Sequence, residues 1–454
     1  MGITDFIKTN LLKFIRQPEP AKEIPVPVVL DVHSACAKIQ EIMSNESNEE
    51  WLQVFQEAAA GSNCVGEAEQ IIKDLLSREM ITVEGYSPDE AAKKIYAIGW
   101  GLDELNDLYN DDTVDEITVL PNGNVFVTRF GITKPAGIKL TPEKSQLLLE
   151  RLIPYDETGN ALNFGSPQVE LVRRDHTRLT GLCYPVITAH RNGWVLRKHD
   201  TINMTVTEII KRQTLDEQTW NIISLLAKGR RNIVICGPPM TGKTTLLELV
   251  IGEMPEYLSI RVIDRDSEVR LEKLYPERNI MVLETHPEVG ATYNSLFNTV
   301  LRLSPDIYVL PEFRTSEEAL LSVNAGSRGR NIITTSHHTT DTVIQNTALL
   351  LVDAGISPEM ALNMVGNCFH IIIEMFTDPN PERGIKKVTR VTEVVLESNG
   401  KITKRTLVAW KPYTSDYLGD GEWEVVNLPS QATLSAMEKY SITPDEVHRT
   451  FKRR

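Results

Sequence analysis

The run from Arg231 to Val250, RNIVICGPPMTGKTTLLELV, constrains this chain more than any other stretch. It holds an apolar segment, a glycine-bounded loop closing on Lys and Thr, and a helix-forming segment. Gly237, Gly242, Lys243 and Thr244 meet the spacing G-x-x-x-x-G-K-[ST] between a strand pattern and a helix pattern, the context in which that spacing makes a phosphate-binding loop. Its glycines let the backbone turn N–H groups inward around phosphate oxygens. The candidate nucleotide-binding positions are therefore Gly237, Pro238, Pro239, Met240, Thr241, Gly242, Lys243, Thr244 and Thr245. Lys243 is expected to neutralise β- and γ-phosphates, and Thr244 to offer its hydroxyl to Mg²⁺, so ATP with Mg²⁺ is the expected ligand pair.

The remaining composition narrows the setting. With 454 residues, 41% of them hydrophobic and 24% charged, the chain has room for roughly two to four globular domains. A formal net charge of −14 does not favour nucleic acid or an anionic membrane surface, so no nucleic-acid partner is expected. The five cysteines are far apart and form no C-x-x-C pair, which argues against a disulfide framework or zinc site and for a reducing, cytoplasmic setting. No apolar run reaches about 18 residues, and the first residues lack the order of a signal peptide. Membrane contact is expected to be peripheral only.

Six regions are expected in chain order. Residues 1–16 place Ile3, Phe6, Ile7, Leu11, Phe14 and Ile15 near helical spacing with Lys8, Lys13 and Arg16 between them. This amphipathic helix reads equally as a docking segment or as a face packed on its own domain. Residues 17–31 carry four prolines and read as an extended linker. Residues 32–86 read as a helical module, 87–200 as an α+β domain opened by a capping box at Ser87, 201–398 as an α/β domain and 399–454 as a short β-rich extension with a closing helix. Within 201–398, apolar runs alternate with helices in the pattern of a mostly parallel sheet.

Ligands of an open α/β sheet bind beyond the carboxyl ends of its strands. Four runs deliver ionisable or phosphate-binding groups there: the P-loop after Cys236; Asp264, Asp266 and Glu268 after Ile263; Glu312 and Arg314 after Leu310; His337 and His338 after Ser336. Asp306 and Glu312 are separated by roughly 20 Å of strand, so only Glu312 reaches the ligand edge. Glu312 is expected to polarise the attacking water, directly or through the Mg²⁺ shell. The alternative is a solvated carboxylate ahead of a helix capped between Thr315 and Glu318. Asp264 and Glu268 read either as carboxylates near the metal's waters or, with Arg265, Asp266 and Arg270, as a mixed-charge loop. His337 or His338 is placed to orient a γ-phosphate or to be structural.

These motifs resemble a known family. Arg302-Leu-Ser-Pro-Asp306-Ile-Tyr-Val-Leu-Pro-Glu312-Phe-Arg314 is similar to the Walker B region of the type II/type IV secretion ATPase superfamily, Thr334-Thr-Ser-His337 to its His box, and Ile263-Asp-Arg-Asp-Ser-Glu268-Val to its Asp box. Gly101-Leu-Asp-Glu-Leu, Asp115-Glu-Ile-Thr-Val and Leu196-Arg-Lys198 resemble the amino-terminal domain of the CpaF-like tight-adherence (Flp) pilus ATPases, over about residues 87–398 in all. The resemblance implies a RecA-like P-loop motor domain behind an α+β amino-terminal domain. It also implies a homohexamer whose ATP turnover drives an inner-membrane pilus or secretion platform protein from the cytoplasmic face. It assigns catalysis to Glu312, Lys243, His337, Asp264 and Glu268, metal binding to Thr244 and Glu312, and phosphate contacts to Arg178, Arg197, Lys198 and Arg314. Three positions depart from the pattern: Arg265 follows the Asp-box carboxylate where an acid is usual, Pro311 replaces a Gly, and Ser327-Arg328 stand after Gly326 where His and an acidic or small residue are common. A conjugative type IV secretion ATPase, a nucleotide-gated scaffold and a RecA-like nucleic-acid translocase are the alternatives.

Overall fold

The computed structural model describes residues 27–62, 64–129, 132–153, 162–175, 177–187, 191–198, 204–265, 269–327, 329–378, 380, 383–397 and 399–452. The expected helix 1–16, residues 17–26 of the linker, Asp266, Glu268 and Arg328 lie outside them.

A helical unit comes first. Strand β1 (Val28–Leu30) pairs in parallel with β2 (Ile81–Val83), and the helices Val32–Glu46, Glu49–Ala59 and Val65–Arg78 run between them. Asp31 starts the first helix by accepting from the N–H groups of His33 and Ser34, and Asn48 starts the second in the same way from Glu50 and Trp51. The capping box expected at Ser87 is present, with Glu90 as its partner, and opens the helix Pro88–Gly99. That helix buries Ala91, Ala92, Ile95 and Tyr96 in one cluster with Ile39, Phe55 and Ile72. The break expected at 86/87 thus falls inside a single core, because the apolar face of Pro88–Gly99 has its complement in the preceding helices.

Next, six antiparallel strands form a sheet in the order β5-β4-β3-β8-β7-β6: β3 (Val114–Val119), β4 (Asn124–Arg129), β5 (Ile132–Lys139), β6 (Gln168–Val172), β7 (Arg178–Cys183) and β8 (Asn192–Arg197). The helix Pro142–Leu152 covers one face, burying Leu148 and Leu149 with Ile117, Leu179 and Leu196. Side chains alternate along a strand, so the residues next to those leucines point to the other face. Register places Glu116 opposite Arg197, and Arg197 opposite Arg178, on that uncovered face.

The third unit is a nine-stranded sheet, among the described residues, in the order β11-β10-β12-β13-β9-β14-β15-β16-β17. Its strands are β9 (Ile233–Cys236), β10 (Ile260–Asp264), β11 (Ile280–Glu284), β12 (Ile307–Glu312), β13 (Asn331–Ser336), β14 (Ile371–Thr377), β15 (Lys386–Leu396), β16 (Ile402–Pro412) and β17 (Gly421–Val425). Pairing is parallel from β11 through β14 and antiparallel from β14 to β17. All four residues of β9 are buried, Ile233 and Ile235 in the core on one face, Val234 and Cys236 in the core on the other. The fold is mixed α/β, a sheet with a parallel centre that follows an antiparallel α+β sheet in the chain. The extension expected from residue 399 instead continues this sheet, since β16 pairs with β15 along most of its length.

Buried polar groups sit where they fix strand order. The Asn232 side chain donates to the Cys368 carbonyl at 2.6 Å and accepts from the Ile332 N–H at 3.1 Å, stitching the starts of β13 and β14 to β9. His370 Nδ1 accepts from the Asn232 N–H at 3.0 Å. Burial first, and then Arg231, press the His370 pKa from 6.5 down to about 4. Between those values the folded chain binds fewer protons than the unfolded one, so stability is fully present above about pH 6.5 and is lost as pH falls toward 4. His370→Asn keeps an acceptor without a titrating ring. The stability of wild type relative to the variant, measured as unfolding free energy by urea titration, should fall by about 2–3 kcal/mol from about pH 7 to about pH 4.5; a difference independent of pH would show that His370 does not titrate as argued.

Candidate active site

Three neighbouring parallel strands end at one edge: β12 at Glu312, β13 just before His337, and β9 just before the P-loop. At β12 the register shifts between Leu310 and Glu312, with Glu312 opposite Thr335. Pro311 sits in that bulge, where its missing N–H costs no ladder bond, and its carbonyl accepts from the Thr335 hydroxyl. The departure at Pro311 is therefore a bulge that re-aims the carboxylate one residue on.

Glu312 is neither solvated nor idle. Its Oε1 lies 3.0 Å from His337 Nε2, and its Oε2 lies 2.7 Å from Arg314 Nη2. His337 Nδ1 lies 3.2 Å from Lys243 Nζ. Since an ammonium only donates, Nδ1 accepts there and Nε2–H donates to Glu312, one continuous polar line from Arg314 to the P-loop lysine. Lys243, buried, also donates to the carbonyls of Gly237 at 2.9 Å and Pro238 at 2.8 Å. Thr315 and Glu318 do cap the following helix Ser316–Ser327, as the competing reading of Glu312 required, yet Glu312 itself faces His337. His338 points elsewhere and meets Asn346 at 2.9 Å.

The helix Lys243–Glu253 starts at Gly242 with no side-chain cap, leaving its first N–H groups directed at the loop. Before it lies a cleft of about 450 Å³. Pro239, Met240, Gly242, Lys243, Thr244 and Thr245 line one wall, and Glu312, Arg314 and His337 continue it. Arg178 and Arg197 come from the uncovered face of the six-stranded sheet, and Lys198 follows directly after β8. Lys198 is turned partly aside, donating to the Asp111 carbonyl at 2.9 Å, and burial lowers its pKa. Gly237, Pro238 and Thr241 form the base of the loop, where the Thr241 hydroxyl donates to the Pro238 carbonyl at 3.0 Å.

Asp264 does not line the cleft. Its buried carboxylate accepts from the Val269 N–H at 2.8 Å and closes its own loop. Arg265 pairs with Glu318, which also caps the helix Ser316–Ser327 and accepts from the Arg314 N–H at 2.8 Å. The reversed charge at Arg265 thus has a built-in partner. The Ser327 hydroxyl donates to the Val323 carbonyl at 2.8 Å within that helix.

Six charged residues of the cleft were not among the expected ones: Asp115, Glu116, Arg212, Glu248, Arg270 and Lys386. Glu248 was within reach of sequence reasoning, lying one helical turn beyond Thr244 on the same face. It pairs with Arg270 at 3.1 Å. Lys386 and Arg212 carry no local signal, because only pairing between distant segments brings them there. In total the cleft is lined by eight basic and four acidic side chains, in a chain whose net charge is −14. Such a concentration suits a polyanion. Among the described residues no three His, Cys, Asp or Glu side chains group as a metal cage, and no helix is long and apolar enough to cross a membrane. Thr244 and Glu312 both line this cleft, and Mg²⁺ is usually held by one or two protein oxygens together with substrate phosphates.

Residues 173–364 match the family described as Type II/IV secretion system protein. The chain is 22% identical over 277 residues to the conjugal transfer protein TrbB of Rhizobium radiobacter, covering 60% of this chain and 82% of that one. It is 25% identical over 309 residues to the probable conjugal transfer protein TrbB of Sinorhizobium fredii, covering 66% and 89%. Among solved structures it is similar to the Legionella pneumophila ATPase DotB, with a TM-score of 0.48 at 15% identity, over 77% of this chain and 85% of that one.

The two P-loop glycines differ in what they tolerate. At Gly237, with φ of 147°, an added Cβ would lie 2.2 Å from the Met375 carbonyl oxygen, a backbone atom that cannot step aside. At Gly242, with φ of 91°, it would meet only side-chain ends, at 3.7 and 4.0 Å. Gly242→Ala should therefore cost about 1–2 kcal/mol in backbone strain, and Gly237→Ala distinctly more, measured by urea unfolding of the two variants. Equal losses would mean that the clash at β14 relaxes freely.

Proposed function

We propose that this chain is a Mg²⁺-dependent ATPase motor that works as a homohexamer at the cytoplasmic face of a membrane and powers a pilus or secretion machine of the tight-adherence kind. The single observation that carries this reading is the line Arg314–Glu312–His337–Lys243 laid across β12, β13 and β9 at the mouth of the cleft. It joins a candidate general base to the P-loop lysine through a histidine with one donor and one acceptor nitrogen. An entering phosphate competes for the Lys243 protons now given to the Gly237 and Pro238 carbonyls. Glu312, held by His337 and Arg314, takes a proton from the attacking water, and His337 reports the state of Lys243 to Glu312. Mg²⁺ held at Thr244 and Glu312 would neutralise charge on the phosphates. The cations of the six-stranded sheet, Arg178 and Arg197, close on the phosphates from the amino-terminal side, so turnover moves one sheet against the other.

A conjugative transfer motor is the second reading, favoured by the names of the two TrbB relatives. In a strain lacking the gene, loss of surface fibres with plasmid transfer intact supports the pilus machine, and the reverse supports conjugation.

Steady-state phosphate release with Mg²⁺-ATP, with particle mass recorded on each sample, tests the motor itself. Glu312→Gln should lower kcat by about 10²–10⁴-fold while ATP still binds, and Lys243→Ala should lose binding. A wild-type chain that binds ATP in a hexamer and never turns it over, with its membrane partner or without, would make it a nucleotide-gated scaffold.

A further inference from the structure

The strand order gives the cleft a direction. Glu312 and His337 come from β12 and β13, on one side of β9, whereas β14 and β15 lie on its other side. A nucleotide whose γ-phosphate meets Glu312 and His337 therefore runs along the P-loop toward β14 and β15. Lys386, the first residue of β15, stands at that end of the cleft. Its Cδ comes 4.0 Å from the position a Cβ would take on Gly242, so its stem lies along the phosphate-binding loop. Among the described residues its ammonium makes no hydrogen bond.

Arg212 is brought to the same wall by backbone pairing. It caps the helix Val206–Lys211, and two residues on the Thr214 carbonyl accepts from the Val388 N–H at 2.7 Å, tying this segment to β15. Burial lowers the Lys386 pKa, Asp115 raises it, and Arg212 and Arg197 lower it again, which places these charges around one ammonium. A half-buried ammonium that shares its wall of the cleft with Arg212 and Arg197 is stabilised by an anion entering there.

We propose that Lys386 and Arg212 form a second phosphate grip, which holds the phosphate on the nucleoside side and is therefore used equally by ADP and ATP. This rests on the nucleotide-binding reading above. Lys243, His337 and Glu312 serve the terminal phosphate, and Lys386 with Arg212 serves the portion that remains after hydrolysis. The product diphosphate is then retained by contacts that loss of the γ-phosphate does not disturb.

The test is binding of a fluorescent ADP analogue to the purified full chain with Mg²⁺, followed by displacement with unlabelled ADP and ATP. Lys386→Met keeps the stem on Gly242 and removes the charge; it should weaken ADP and ATP alike, by roughly 10- to 100-fold. Lys386→Arg should stay within about threefold of wild type, and Arg212→Met should show a smaller but equally shared loss. Unfolding midpoints matching wild type keep the comparison one of charge. If Lys386→Met binds ADP within about twofold of wild type, or loses ATP alone, the second grip does not exist and the nucleotide site stands without it. If the wild-type chain binds neither nucleotide, the nucleotide reading itself falls.

Discussion

Everything at the ligand edge depends on β9 being held between β13 and β14. Both neighbours pair with it in parallel along its whole length, Ile333 and Ile371 each opposite Ile233. Parallel pairing points the carboxyl ends of all three strands the same way, so the P-loop emerges beside the residues that follow β13. Burial on both faces forbids a one-residue slip, which would move β9 side chains from one core to the other. Asn232, locked to both neighbours at the start of β9, sets the register from which the Lys243–His337 approach follows. The extreme φ at Gly237 belongs to the same constraint: the loop turns tightly over the Met375 carbonyl because β14 is already there.

Charge is distributed against the chain's own average. The chain carries 62 acidic against 48 basic residues, yet among the described residues eight basic side chains line one cleft, where Asp115, Glu116, Glu248 and Glu312 offset half of their charge. This partial balance lets so many cations stand together without an anion while leaving net positive charge for one. Two of the four acids have dedicated partners, Glu248 with Arg270 and Glu312 with Arg314. Neutral pairs of this sort fix side-chain positions at small electrostatic cost when they are well hydrogen-bonded.

The legible part of the structure was the part written in local pattern. The loop between the strand ending at Cys236 and the helix from Lys243, and the capping box at Ser87, stand where periodicity and punctuation placed them. The placement of Glu312 and Asp306 at opposite ends of one strand also follows from strand rise alone, and Asp306 indeed accepts from the Ser259 N–H at the far edge. What escaped was non-local. Strands β16 and β17 read as a short extension because sequence alone does not reveal that their partner is β15. The helix Pro88–Gly99 carries a clear apolar face, but pattern does not say which core it faces. Asp264 looked like a site carboxylate because it ends a strand at the ligand edge; its use by the Val269 N–H is a loop closure that spacing does not distinguish from metal chemistry.

The helical unit is not a passive attachment. Arg173, in the turn between β6 and β7, is buried and donates to the Ala59 carbonyl at 2.6 Å and the Leu152 carbonyl at 2.9 Å. One guanidinium thus ties the C-terminus of Glu49–Ala59 to the helix Pro142–Leu152, satisfying carbonyls that helix ends leave without partners. Arg174 adds an ion pair to Glu57, and Tyr109 donates to Asp175 in the same turn. This turn runs directly into Arg178, which faces the cleft beside Arg197. The helical unit is thus bonded to the strand pair that carries Arg178 into the cleft. Arg178 and Arg197 stand directly opposite on β7 and β8, so two like charges are held side by side by strand pairing alone, an arrangement that an entering anion would relieve.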